Sequence, residues 1–238
     1  MKVLLHLIKG EIHRLIKYKT MVVGFVVSFL WVLIIWLSDK ESAEMLIPLL
    51  IFVDAAMMSI LLLGASFYLE KQEEVTKTLM VTPIQLWQLL FAKVVASLVS
   101  GVVSTIFVVM IGVFIHGVEI ALLKLLIAVI LIIISHTAIG YLISLYAKDF
   151  STMIIRYAMY ALIFFLPSIL VTLGVFQESL EWIVMLSPSH SGQVLINGAF
   201  DVINPVEWWV GLAYLFMIGL VIYPVFVYPK YKKVSLEV

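Results

Sequence analysis

Residues 46–74 read LIPLLIFVDAAMMSILLLGASFYLEKQEE, and this stretch decides the fold. From 46 to 69 the only charged side chain is Asp54. A helix needs about 20 mostly apolar residues to cross the hydrocarbon core of a bilayer. The run then stops abruptly at Glu70, Lys71, Gln72, Glu73 and Glu74, as a segment does when it re-enters water. Backbone groups in lipid must bond within their own segment, so the run is read as a helix.

Five further runs of the same kind lie outward from it, at about 21–37, 94–115, 121–146, 154–176 and 207–228. None shows the polar-in, apolar-out alternation of a membrane barrel. Composition agrees: 64% of residues are hydrophobic and 13% charged, against about 25% charged in soluble domains. Cysteine is absent, which excludes disulfides, thiolate metal sites and thiol catalysis. Residues 1–19, MKVLLHLIKGEIHRLIKYK, interleave basic and apolar side chains, so no cleaved signal peptide is expected. Leu4, Leu5, Ile8, Ile12, Leu15 and Ile16 recur at helical spacing among Lys2, Lys9, His13, Arg14 and Lys17. That pattern predicts an amphipathic helix lying in the headgroup plane; the alternative is an extension of the first span.

The expected fold class is an all-α integral membrane protein. Residues 1–238 form one transmembrane domain: an N-terminal elbow helix over 1–19, six transmembrane helices, a charged connection over 70–93, and an outer segment over 177–206. Orientation follows from lysine and arginine placement. Lys2, Lys9, Arg14, Lys17, Lys19, Lys71, Lys77, Lys93, Lys148, Arg156, Lys230, Lys232 and Lys233 fall on one side, and only Lys40 and Lys124 on the other. Both termini are therefore expected to be cytoplasmic, with residues 70–93 inside the cell.

The outer segment contains Ser187-Pro188, a cap followed by a first-turn proline, and is read as two short re-entrant helices. Its lone His190 has no companion metal ligands in sequence and is read as a solvated loop residue, so no metal site is expected. Pro167 is expected to kink the fifth span.

In the 70–93 connection, Glu73 and Lys77 are four residues apart, and Thr82-Pro83 is a helix-start signature. A helix–break–helix follows, presenting Glu73, Glu74, Thr78, Leu79 and Met80 to a partner. The alternative is a solvated connection that keeps two spans apart.

Two polar groups sit within the lipid zone. Asp54 is in the second span, and His136 is in the fourth, between Ser135 and Thr137. An ionised aspartate there costs about 2.5–3.5 kcal/mol, so it faces protein or water. At about 1.5 Å per residue, Asp54 lies roughly 22 Å and His136 roughly 15 Å from the inner ends of their spans. The offset is bridged only if spans two and four pack together. The two residues are read either as the lining of a substrate path or proton-sensitive pair, or as a packing hydrogen bond.

The ordered set Glu70, Glu73, Glu74, Thr78-Leu79, Thr82-Pro83 and Lys93, with Ser187-Pro188 farther on, resembles the membrane subunits of type-two ATP-binding-cassette (ABC) exporters. Relatives often carry a glycine just after the acidic pair, where this chain has Val75, Thr76 and Lys77. The resemblance implies that Glu70, Glu73, Glu74, Thr78, Leu79, Thr82 and Pro83 couple the chain to a separate ATPase through a short helix. It implies two ATPase copies beneath two permease subunits, identical or sibling, in the plasma membrane of a prokaryote. No G-x-x-x-x-G-K-[ST] motif occurs, so ATP and magnesium are expected on the partner, with no cofactor or catalytic residue in this chain and no nucleic-acid partner. The function implied is outward movement of an amphipathic solute, drug or lipid-like substrate. The alternative is a secondary transporter or channel that needs no ATPase. H-E-x-x-H and G-x-S-x-G are absent, which disfavours an intramembrane enzyme.

Overall fold

In the computed structural model, residues 2–73, 84–175, 181–200 and 204–236 are described. Among them all regular structure is helical. Helix α1 (Lys2–Lys17) precedes α2 (Thr20–Leu37), the first span. The second span joins α3 (Lys40–Val53) to α4 (Ser59–Gln72) through a π-helical turn at Asp54–Met58. The third and fourth are α5 (Leu86–His116) and α6 (Leu122–Tyr146). The fifth joins α7 (Phe150–Tyr160) to α8 (Leu166–Thr172) through a π turn at Ala161–Phe165. Two short helices follow, α9 (Glu181–Val184) and α10 (Pro188–Phe200). The sixth span joins α11 (Pro205–Ile222) to α12 (Tyr228–Leu236) through a third π turn, Tyr223–Val227. Six helical segments are thus long and apolar enough to cross a membrane.

Several helices start earlier than hydropathy alone predicts, because polar residues cap them. Asp39 accepts the Ser42 amide at 2.8 Å and Asp149 accepts the Thr152 amide at 2.7 Å. Gln85 and Gln88 form a reciprocal capping box at the start of α5. That helix begins three residues beyond Thr82-Pro83, which lie outside the described residues.

The fifth span stays helical past Pro167 but departs from regular α geometry just before it. Pro167 has no amide hydrogen to give the preceding turn, and the ladder loosens into the π turn at Ala161–Phe165. Within it the Phe164 carbonyl accepts the Ser187 hydroxyl at 2.9 Å. Pro188 opens α10 as predicted. Ser187 does not cap that helix with its side chain, which reaches across to span five instead.

Spans two and four are the most enclosed, and the other four expose broad apolar faces. Their close packing depends on Gly140, where a Cβ would meet the Cα and carbonyl oxygen of Ile60 at 3.2 Å. Ser144 beside it bonds the Tyr157 hydroxyl at 2.8 Å. These small residues therefore serve contacts inside the chain. Helix α10 is enclosed rather than lying at a surface: Ser189, His190, Ser191, Gly192 and Gln193 are all buried. His190 is 2% exposed, which corrects its reading as a solvated loop residue.

The bundle has two distinct ends. Leu63, Phe67, Leu86, Leu90, Leu145, Val227 and Tyr231 cluster at one, where α1 packs on α5 through Leu7, Leu89 and Ala92. Ile35, Ala43, Ile47, Val118, Leu125 and Leu195 belong to the core that reaches the other. The first end carries most of the basic residues and is called the basic end below.

Candidate functional site

The helix α1 turns a narrow face of Leu7, Glu11 and Leu15 to the protein, at i, i+4 spacing. Leu5 and Ile16, read above as members of its apolar stripe, remain 60% and 51% exposed. The buried face thus places a carboxylate, Glu11, between two leucines and against the bundle. A buried carboxylate requires a partner, and α5 supplies Lys93. Its Nζ donates to Glu11 Oε2 at 3.0 Å and to Glu70 Oε1 at the end of span two. Arg14 closes the group, donating to Glu11 Oε1 and lying 3.6 Å from Glu70 Oε1. Ser66 donates to Glu70 Oε1 at 3.3 Å.

Two acids and two bases therefore form a neutral buried knot from three elements, α1, α4 and α5. Burial by itself lowers the Arg14 pKa, but Glu11 and Glu70 outweigh it and hold the guanidinium above its ordinary value. Just past the end of α1, the Tyr18 hydroxyl donates to Glu73 Oε2 at 2.5 Å. Desolvation, with that hydrogen bond, pushes Tyr18 up to about 12.

The consequence is mechanical. Glu70 and Glu73 stand where the chain leaves span two. Ile84, where it returns, packs against the apolar cluster in which Leu7 of α1 meets Leu89 and Ala92 of α5. One end of the 73–84 connection is thus tied to α1, and the other packs where α1 meets α5.

Of the residues singled out in sequence, Glu70 lies in the knot at 1% exposure. A side chain held by Lys93 and Arg14 inside the bundle anchors the connection from within. Glu73 is exposed and bonded to Tyr18. Glu74, Thr78, Leu79, Thr82 and Pro83 lie outside the described residues.

Spans two and four do pack together, yet Asp54 and His136 do not meet. Asp54 Oδ2 contacts Ser104 of α5. His136 Nδ1 lies 2.9 Å from the carbonyl of Ile132, and its ring stands edge-on to Tyr160. Glu11 and Tyr18 were missed by sequence reasoning, although Glu11 is the lone acid in a basic helix. A different feature faces outward near the basic end. Trp87, Phe91, Ile134, Tyr223, Pro224 and Tyr228 line an apolar groove of about 440 Å³ between spans three, four and six.

The family model described as ABC-2 type transporter matches residues 4–200. The chain belongs to the ABC-2 type transporter family. This ABC-2 permease is also similar to the fluoroquinolones export permease proteins of two strains of Mycobacterium tuberculosis. It is 23% identical to each over 178 residues, which is 75% of this chain and 70% of the relative. Permeases of this family are non-catalytic, multi-pass membrane subunits that work with ABC ATPase subunits, and the ATPase binds the ATP. The clasped connection is therefore a feature of a permease whose family works with ABC ATPase subunits.

Proposed function

We propose that this chain is the permease subunit of an ATP-driven exporter and that its ATPase docks on the connection clasped by α1. The observation that supports this is the anchoring of both ends of that connection at the junction of α1 and α5, through Tyr18–Glu73 and the Glu70 knot at one end and the Leu7–Leu89–Ala92 cluster under Ile84 at the other. A loop that transmits force must be stiff at its roots, and a buried neutral ion group with an apolar contact supplies that stiffness. The basic end then faces the cytoplasm of a prokaryotic cell, following the lysine and arginine bias, and both termini lie there. Helix α1 lies in the headgroup plane, with exposed Leu5 and Ile16 toward lipid. Two permeases and two ATPases form the working unit. Nucleotide-driven closure of the ATPases moves the connections and biases the spans between two arrangements.

The substrate is an amphipathic solute, a drug or lipid-like molecule, carried outward. The aromatic-lined groove of about 440 Å³ suits that class in size and polarity. The names of the mycobacterial relatives point the same way.

Charge reversal tests the docking role. The double variant Glu73→Lys/Glu74→Lys is expected to insert normally and to lose co-purification of the ATPase. Glu41→Lys/Glu44→Lys, at the opposite end, is expected to retain it. Unchanged co-purification by the first variant would refute the docking assignment.

A further inference from the structure

Asp54 sits on the π turn of span two and is 3% exposed. Its Oδ2 contacts Ser104 Oγ of span three. Ser104 Oγ lies 2.5 Å from Ser28 Oγ of span one. Ser28 Oγ in turn lies 2.9 Å from the Gly24 carbonyl oxygen. This is an unbranched chain of three hydrogen-bond contacts ending on a carbonyl, which can only accept. Each contact needs one proton, and a serine hydroxyl supplies one. Ser28 and Ser104 supply two, so the third contact lacks a proton unless Asp54 carries it. With Asp54 as the neutral acid, each member donates once in sequence: Asp54 to Ser104, Ser104 to Ser28, Ser28 to Gly24.

The other carboxyl oxygen leads to the same place. Oδ1 is buried and completes no hydrogen bond among the described residues. The Trp31 indole N–H lies close enough to act on the carboxyl as a neutral donor, and it brings no positive charge. No lysine, arginine or histidine among the described residues acts on the group. His136 of span four is turned to Tyr160 and the Ile132 carbonyl. Span one contributes Ser28 and Gly24, span three Ser97, Ser100 and Ser104, and span two Ser59, all uncharged, around a cavity of about 20 Å³ beside the carboxyl. An ionised carboxylate with no cation beside it is costly inside a membrane, whereas a neutral acid places no charge there.

We propose that Asp54 is a proton-binding site, occupied in this arrangement of the spans, with the proton held between span two and span three by Ser104. The assignment does not depend on the transported substrate or on where the ATPase docks. Moving span three away from span two removes the acceptor, so occupancy of the site is tied to the packing of spans one to three.

Infrared spectroscopy of the full chain in lipid nanodiscs tests it. Near neutral pH the wild type is expected to show the carbonyl band of a protonated carboxylic acid. The band should shift when aspartate is labelled with carbon-13, disappear in Asp54→Asn, and change frequency in Ser104→Ala. The isotope arm uses only wild-type protein and stands even if a variant does not fold. Asn mimics the neutral acid by donating to Ser104, so Asp54→Asn is expected to match the wild-type yield of folded protein. A wild-type spectrum with no isotope-sensitive acid band near neutral pH would show an ionised Asp54 and overturn the proposal.

Discussion

The most demanding prediction concerns Lys93. Its ammonium is 5% exposed and touches two carboxylates, Glu11 and Glu70, each on a different helix. Lys93→Met keeps the length of the side chain and removes its charge. What remains, Glu11, Glu70 and Arg14, carries a net charge of −1 in a largely buried site. Removing one partner of a buried ion pair costs about 3–5 kcal/mol. For a chain of this size, 1 kcal/mol corresponds to about 2–4 °C in Tm, so the expected fall is about 6–20 °C. The assay is thermal unfolding of the purified permease in nanodiscs, followed by intrinsic tryptophan fluorescence. The double variant Lys93→Met/Glu70→Gln removes one charge of each sign and leaves the Glu11–Arg14 pair matched, so it should recover more than half of the lost stability. A single variant within about 2 °C of wild type, less than 1 kcal/mol, would refute the knot. So would a double variant whose losses simply add.

Other outcomes follow from named contacts. Gly140→Ala places a Cβ against the backbone of Ile60, which cannot yield as a side chain does, and is expected to cost about 1–3 kcal/mol in the same unfolding assay. Gly10→Ala meets nothing within 4 Å on α1 and should stabilise by about 0.5–1 kcal/mol. Tyr18 binds its proton more tightly in the fold, up to about 12 against an ordinary 10.0. Its contribution is therefore complete below pH 10 and lost as pH rises through about 12; Tyr18→Phe should abolish that alkaline step in the thermal stability profile. Asp39 is held below the ordinary carboxylate value by the Ser42 amide, so its cap persists above that value and is lost on acidification below it. Asp39→Ala should speed amide exchange at the start of α3, and Asp39→Asn should not.

The six spans were legible because lipid imposes a length and a polarity that sequence displays directly. Their ends were less so. The first turns of α3 and α5 hold polar residues, and Asp39, Gln85 and Gln88 extend the helices past the point where hydropathy falls. The knot was half visible. Glu70 and Lys93 were singled out, but Glu11 was not, because a search for apolar periodicity on α1 passes over a carboxylate sitting between Leu7 and Leu15. Asp54 and His136 show the complementary limit. Rise per residue places them in depth, but their rotation about each helix axis depends on packing. That rotation turns one to Ser104 and the other to Tyr160.

The central claim is that the ATPase grips the permease at the connection rooted on Glu73 and Ile84. The native chain has no cysteine, so single cysteines report position without background. Glu73→Cys, on an exposed residue at the root of the connection, should cross-link to the ATPase in native membranes. Glu41→Cys, exposed at the opposite end of the bundle, should not. Cross-linking at residue 41, or none at residue 73 with the ATPase present and active, would contradict the account.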